Sequence, residues 1–404
     1  MTNRKFALAG VRVLDLSRVL AGPWCTQILG DLGAEVIKIE KPGAGDDTRR
    51  WGPPFLPESD ARHGDAAYFL CANRNKRSAT IDFATPEGAD IVRHLVPRCQ
   101  VLVENFKTGG LRKYGLDYEA VAKINPAIVY CSITGFGQDG PYAHRPGYDY
   151  IIQAMGGLMS VTGEPDGEPM KCAVAVADLF TGMYAATAIL AALRHAEATG
   201  EGQHIDLALL DCQVAMMANI GASYLLDGQR PIRYGNQHAA IAPYQVLPTA
   251  DGHIVVTVGN DGQFRHFCTA LGLALAEDAR FATNEARVTN RQALTDALGP
   301  VMRTRTTAQW VTVLERAHVP CGPINTLDQV YADPQVLARN AVQTIERIDG
   351  LPLKLAANPI HMSVTPPRAD AAPPRLGQDT DAILAELLDA PAEQRDAWRA
   401  AGVI

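Results

Sequence analysis

Paired cysteines are missing from this chain. Its eight (Cys25, Cys71, Cys99, Cys131, Cys172, Cys212, Cys268 and Cys321) form no CxxC spacing and no cluster. That fits reduced, buried thiols in a cytosolic protein better than disulfides or zinc. No apolar run is read as membrane-spanning; the most apolar stretch is interrupted at Arg194 and His195. The opening from Met1 to Gly10 has no apolar core of signal-peptide length. A cytoplasmic location and no membrane partner are therefore expected. Positive charge is not in excess either. The net charge of −7 argues against non-specific nucleic-acid binding, while leaving room for a basic pocket around an anionic ligand. Also absent are internal repeats and a GxGxxG in the first strand–helix turn, so the usual dinucleotide fingerprint does not apply.

What is present describes a folded α/β protein. Hydrophobic residues make up 47% of the chain and charged ones 20%, and 404 residues are too many for one ordinary core. The alternating Gly10–Leu16, the helical Trp24–Leu32 and the alternating Ala34–Glu40 form a βαβ unit, which belongs to a parallel sheet. Further strands are expected at Ser78–Phe83, Val101–Phe106, Ile128–Thr134 and His204–Leu210, with helices between them. A second unit begins after Asp227-Gly-Gln-Arg-Pro231, with a hairpin turning at Ala250-Asp-Gly252. The expected division is a Rossmann-like large domain over 1–226, a small α+β domain over 227–330, and a C-terminal segment over 331–404 returning to the first.

Two features carry chemistry. Basic residues recur near the expected strand ends: Arg18, Lys41, Arg49, Arg50, Arg74, Lys76, Arg77 and Lys107. Carboxyl ends of parallel strands share one edge, and cations interleaved with glycine there suit a phosphate-bearing ligand. Each of them alone equally suits a solvated loop. The second feature is Asp178, one carboxylate in the small, apolar stretch from Cys172 to Leu193. Burying it costs several kcal/mol, roughly, unless something pairs with it or uses it. It stands where an extended run, Cys172–Ala177, gives way to a helix, so an N-cap and a catalytic group both fit.

Ordered motifs add a resemblance. Val13-Leu-Asp-Leu-Ser-Arg-Val-Leu-Ala-Gly-Pro23, Asn73-Arg-Asn-Lys-Arg-Ser78, Val103-Glu-Asn-Phe106, Gly135-Phe-Gly-Gln-Asp-Gly-Pro-Tyr142 and Leu376-Gly-Gln-Asp-Thr380 resemble the family III CoA-transferases, in the same order. Gly43-Ala-Gly-Asp-Asp-Thr-Arg49, Trp51-Gly-Pro-Pro54, Ala242-Pro-Tyr-Gln245 and Val319-Pro-Cys-Gly-Pro-Ile-Asn325 are most similar to the succinyl-CoA:glutarate branch. The resemblance implies ring-like monomers interlocked in a homodimer, with acyl-CoA and a free carboxylic acid as partners. It puts the catalytic aspartate at Asp178 and CoA contacts at Arg18, Leu20, Lys41, Asn73, Lys76, Arg77, Asn105 and Lys113. No metal and no cofactor beyond the CoA thioester substrate are implied.

The chemistry suits one aspartate. A carboxylate attacks an acyl-CoA thioester to give a mixed anhydride, and CoA thiolate then returns to form an aspartyl-CoA thioester. Arg50 and Tyr148 are candidates for substrate contacts, and the backbone N–H groups of Gly259 and Gly262 for the oxyanion. Two rivals share the pattern. A 2-methylacyl-CoA racemase needs two bases, and relatives of that kind carry histidine where Tyr148 stands here. A non-catalytic CoA-binding subunit would not need Asp178.

Overall fold

Short aliphatic and β-branched runs, each ended by glycine, proline or a polar loop, become the strands of a parallel sheet. The computed structural model describes residues 6–57 and 63–404; Met1–Lys5 of the opening segment lie outside these. The chain divides into two compact units, one of residues 1–158, 172–226 and 335–404, the other of residues 159–171 and 227–334.

The first unit contains β1 (Arg12–Asp15), β2 (Glu35–Glu40), an antiparallel hairpin of β3 (Phe55–Pro57) and β4 (His63–Ala66), then β5 (Lys76–Thr80), β6 (Val101–Glu104), β7 (Val129–Thr134) and β8 (Gln203–Ala208). Six of these form one parallel sheet in the order β5-β2-β1-β6-β7-β8. The order reverses between β1 and β6, so the chain leaves these two strands toward opposite halves of the sheet. A crevice is expected where their carboxyl ends part. Two apolar layers cover the sheet. One includes Leu14, Ile37 and Leu102 with the Pro86–Leu95 helix and the C-terminal helices. The other includes Val13, Val36 and Val103 with the Ala21–Asp31 and Val176–Thr199 helices.

Those last two helices pack closely because Gly182 lacks a side chain. A Cβ there would stand 2.7 Å from the Ala21 carbonyl oxygen and 3.1 Å from the Trp24 ring. The helix runs for 24 residues, past Arg194 and His195, and ends at Thr199, just before the Gly200-Glu-Gly stop expected from the sequence. By length and apolarity it could cross a membrane, though 44% of its most apolar window is buried within the protein.

Other differences have local causes. β5 begins two residues earlier than expected, so Lys76 and Arg77 are strand residues and Asn73–Arg77 enters at the amino edge. Of the run Cys172–Ala177 expected to be extended, residues 172–175 are irregular and pair with no strand, while Val176 and Ala177 already belong to the helix. The helix expected to reach Leu226 bends at Met217 into Leu209–Met216 and Ala218–Asp227. The hairpin β3–β4 gave no sequence signal amid its prolines.

The second unit carries β9 (Tyr244–Pro248) and β10 (His253–Thr257), a hairpin across 249–252 as expected, and β11 (Cys321–Pro323). Phe264, Phe267, Leu298, Trp310 and Leu314 pack against this sheet from three helices. The chain then rejoins the first unit with a hairpin of β12 (Val342–Glu346) and β13 (Pro352–Ala356). The proline-rich stretch after it is tied down residue by residue. Arg368 donates its backbone N–H to Asp31 (2.7 Å), and Asp379 and Ser78 exchange hydrogen bonds of 2.9 Å.

Candidate active site

Asp178 is the third residue of the Val176–Thr199 helix, so it is not the N-cap; that position is Ala175, which has no side-chain acceptor. The cap is supplied by Asp149. Its Oδ1 accepts the backbone N–H groups of Ala177 (2.8 Å) and Asp178 (3.3 Å), and its Oδ2 accepts Gln153 Nε2 (2.6 Å). Gln153 in turn accepts the Cys172 N–H at 2.8 Å, which fixes the irregular approach to the helix. With its capping duty taken over, Asp178 is left 9% exposed, and among the described residues no hydrogen bond stabilises its charge. Burial first, and the Asp149 charge second, push it up to about 7. Burial and then the Asp178 charge push the nearby Tyr68 phenol up to about 12, so it keeps its proton.

The carboxyl faces a cavity of about 150 Å³ over the carboxyl ends of β1, β6 and β7, lined by Arg18, Asn105, Lys107, Gly135, Arg145 and Tyr148 among others. A second cavity, of about 470 Å³, lies over β5, β2 and β1 and takes in Lys41, Asp82, Phe83, Lys113 and Tyr114. Arg18, Asp47, Phe106 and Lys107 line both, so the two adjoin where the strand order reverses. Asn105 braces that junction: its Oδ1 accepts the Arg18 N–H (2.9 Å) and its Nδ2 donates to the Arg18 carbonyl (2.6 Å).

Beneath the floor is a network of buried charges. Asp15 accepts the hydroxyls of Ser17 and Thr26 and pairs with Lys76 at 3.2 Å. Lys38 pairs with Asp46 at 2.9 Å and donates to the Ser17 carbonyl at 2.8 Å. Arg49 forks onto Glu40 at 2.6 and 2.8 Å. Burial alone would raise the Asp15, Glu40 and Asp46 carboxyls, but these cations hold all three below the usual carboxylate range. Asp46 also accepts the Val19 N–H, at 3.2 Å to each oxygen, where Val19 sits in the left-handed region at φ 73°. A β-branched residue is strained there and persists because the surroundings hold it.

The sequence candidates therefore separate. Arg18, Asn105, Tyr148 and Asp178 share the first cavity; Lys41 and Lys113 line the second, the latter over the Tyr114 ring at 4.7 Å. Leu20 is buried at the entry to the Ala21–Asp31 helix. Asn73 and Lys76 line neither of these two cavities. Lys76 Nζ is enclosed by Asp15, Asn73 Oδ1 (2.9 Å) and the Pro23 carbonyl (3.0 Å). Arg77 pairs with Glu35 and Glu386, and Arg74 forks onto Asp31. The strand-end rule fails for Arg74, Lys76 and Arg77 because they lie where β5 starts, not where it stops. Arg50 donates to the Ala44 carbonyl. Gly259 and Gly262 belong to the second unit, and the Gly259 N–H is already donated to Gln263 Oε1 at 2.7 Å.

Sequence reasoning missed Arg145 and the capping role of Asp149. Arg145 follows β7 in Pro141-Tyr-Ala-His-Arg-Pro-Gly147, so the strand-end rule would have found it. Its loop is pinned by Gly147, whose Cβ, if present, would stand 2.5 Å from the Gly135 Cα. Gly147→Ala is therefore expected to displace the loop, lowering stability by about 1–3 kcal/mol and turnover at least tenfold. Urea unfolding and steady-state rates check this; an unaltered rate would show that the contact is not needed.

The model of CoA-transferase family III matches residues 8–380. The succinate–glutarate CoA-transferase of Agrobacterium fabrum is 53% identical over 96% of this chain and 97% of its own. The human succinyl-CoA:glutarate CoA-transferase is 44% identical, over 96% and 87%. A CAIB/BAIF family protein from Brucella suis has a crystal structure that superposes with a TM-score of 0.85 at 51% identity, over 95% of this chain and 99% of that one. A buried carboxyl over a reversing parallel sheet, a cation-lined cavity beside it and a match over nearly its whole length mean that this chain belongs to the family III CoA-transferases.

Proposed function

We propose that this enzyme moves CoA from succinyl-CoA to a dicarboxylic acid such as glutarate, with Asp178 as the nucleophile. The observation that carries the reading is an Asp178 carboxyl without hydrogen-bond partners among the described residues, facing a cavity that adjoins a second one lined by Lys41, Lys107 and Lys113. The lysines suit the phosphates of CoA. Relatives named for succinyl-CoA and glutarate support the substrate pair.

In the proposed cycle Asp178 attacks the thioester carbonyl, forming an acyl–aspartyl anhydride and expelling CoA thiolate. The thiolate attacks the aspartyl carbonyl, releasing succinate and leaving aspartyl-CoA thioester. The acceptor carboxylate attacks that thioester, and the thiolate then takes the new acyl group, which restores Asp178. A basic carboxylate is the better nucleophile once ionised, so the raised Asp178 carboxyl suits the task. Proton abstraction in the manner of a racemase is disfavoured, because Asp149, beside Tyr148, is committed to three N–H donors.

The exposed apolar stripe of Phe180, Met183, Tyr184 and Leu190 on the long helix supports a homodimer, the interlocked form included. A cytoplasmic location is proposed with it. Mass spectrometry of a mixture with succinyl-CoA and glutarate tests the reading. Glutaryl-CoA and succinate should appear in equal amounts, and hydroxylamine should trap the acyl enzyme at Asp178; trapping elsewhere would name another nucleophile. Since Asp178 must be ionised to attack, kcat/KM for succinyl-CoA should fall tenfold per pH unit below about 7 and level off above it. A profile flat from pH 5 to 8 would separate Asp178 from the rate.

A further inference from the structure

Most cations at the carboxyl edge of the sheet have an evident occupation. Arg18 pairs with Asp47 at 3.3 Å and lies over the Phe106 ring, while Lys41 and Lys113 face the second cavity. Arg145 differs from them. It lines the cavity that contains Asp178 and is absent from the lining of the other. Its guanidinium lies over the Tyr142 ring at 4.6 Å and the Phe136 ring at 5.3 Å, which are themselves packed edge to face at 5.6 Å. No described carboxylate pairs with it. Two rings flank the guanidinium, no described residue accepts from its five donors, and Gly147 against Gly135 anchors the loop that carries it.

We propose that Arg145 binds the remote carboxylate of a dicarboxylic substrate and so sets the preference for dicarboxylates over monocarboxylates. This rests on the CoA-transfer reading above. The transfer releases one acid before the other enters, and both react at Asp178, so succinyl group and acceptor occupy one subsite in turn. Whichever acid is present directs its reacting end to Asp178. Its other end must leave water, and a charged end does so only against a cation. Arg145 supplies that cation within the same cavity, in the planar, two-donor form that suits a carboxylate. A monocarboxylate of equal length would present a methyl group to the guanidinium.

The test compares substrates that differ only at the remote end, in the full-length enzyme: glutarate against pentanoate as acceptor, and succinyl-CoA against butyryl-CoA as donor. Arg145→Gln should lower kcat/KM for glutarate roughly 30- to 100-fold, mainly through KM, the loss of one charge-assisted pair. The glutarate-to-pentanoate preference should fall by a similar factor, and the succinyl-to-butyryl preference with it. Arg145→Lys keeps the charge but not the fork, and should restore part of the preference. Unchanged preferences in an active Arg145→Gln enzyme would overturn the inference and leave the transferase reading standing. Equal losses with both acceptors and both donors would also overturn it, assigning Arg145 to CoA or to the loop. A wild-type enzyme that serves pentanoate but no dicarboxylate would overturn both.

Discussion

Asp178→Asn is expected to abolish CoA transfer and, at the same time, to make the protein more stable. Loss of the nucleophile should lower kcat by roughly 10⁴-fold or more, the scale seen when a covalent catalyst is removed. The gain in stability follows from the carboxyl held at about 7 by burial and by Asp149. In the unfolded chain the same group releases its proton near about pH 4. Between those values the unfolded state binds fewer protons than the folded one, so wild-type stability falls as pH rises through that window. Asparagine carries no such penalty. Its advantage should be small at about pH 4 and complete above about pH 7, on the order of 4 kcal/mol. Urea unfolding of both proteins at pH 5 and pH 8 reads the difference. A variant that is inactive and also less stable at pH 8 would mean that Asp178 is a structural partner. Residual transfer of more than a few per cent would remove it from the mechanism.

Asp46→Ala should have the largest cost in stability. Asp46 is buried, pairs with the buried Lys38, and accepts the N–H groups of Val19 and Thr48. Removing it leaves Lys38 Nζ with the Ser17 carbonyl as its remaining hydrogen-bond acceptor. Asp15 and Glu40 still act on the Lys38 charge, so the loss should lie near the lower end of what breaking a buried ion pair costs, about 3 kcal/mol. Burial alone would raise the Asp46 carboxyl, but Lys38 and Thr48 outweigh it and hold the group below its usual range. Its stabilisation is therefore present above the unfolded value, about pH 4, and is lost as pH falls through the lower folded one. The variant should lose that part of its acid sensitivity, giving a shallower fall in stability below about pH 4. Activity should fall too, because Val19 and Arg18 line the cavity and Asp46 holds the turn that carries them. Equal stability of wild type and variant at pH 7 would show that Lys38 finds another partner or sheds its proton.

How far the site could be read in advance differs residue by residue. Arg18 and Lys41 were legible because each directly follows a strand of a parallel sheet, and such ends share one edge. Lys76 looked the same by composition and is instead walled in by Asp15, Asn73 and Pro23. The difference is that Lys76 stands at the start of β5 and not past its end, so the rule for carboxyl ends does not reach it. Asp178 illustrates another limit. A lone acid at the start of a helix predicts a cap, yet Asp149, 29 residues earlier, does the capping. Nothing local to either residue reveals which of the two is free.

The sequence by itself determined the α/β class, the main strands, the hairpin of the second unit, the family and Asp178 as a candidate. These depend on periodicity, glycine and proline punctuation, and ordered motifs, all of which act over short stretches of chain. Only the tertiary structure decided which charges neutralise one another and which remain for a ligand. Lys38, Arg49, Arg74 and Lys76 are consumed in buried pairs, whereas Arg145 is not paired with any described carboxylate. The cost of burying a charge depends on what lies within a few ångströms of it, and those neighbours come from chain segments far apart in sequence.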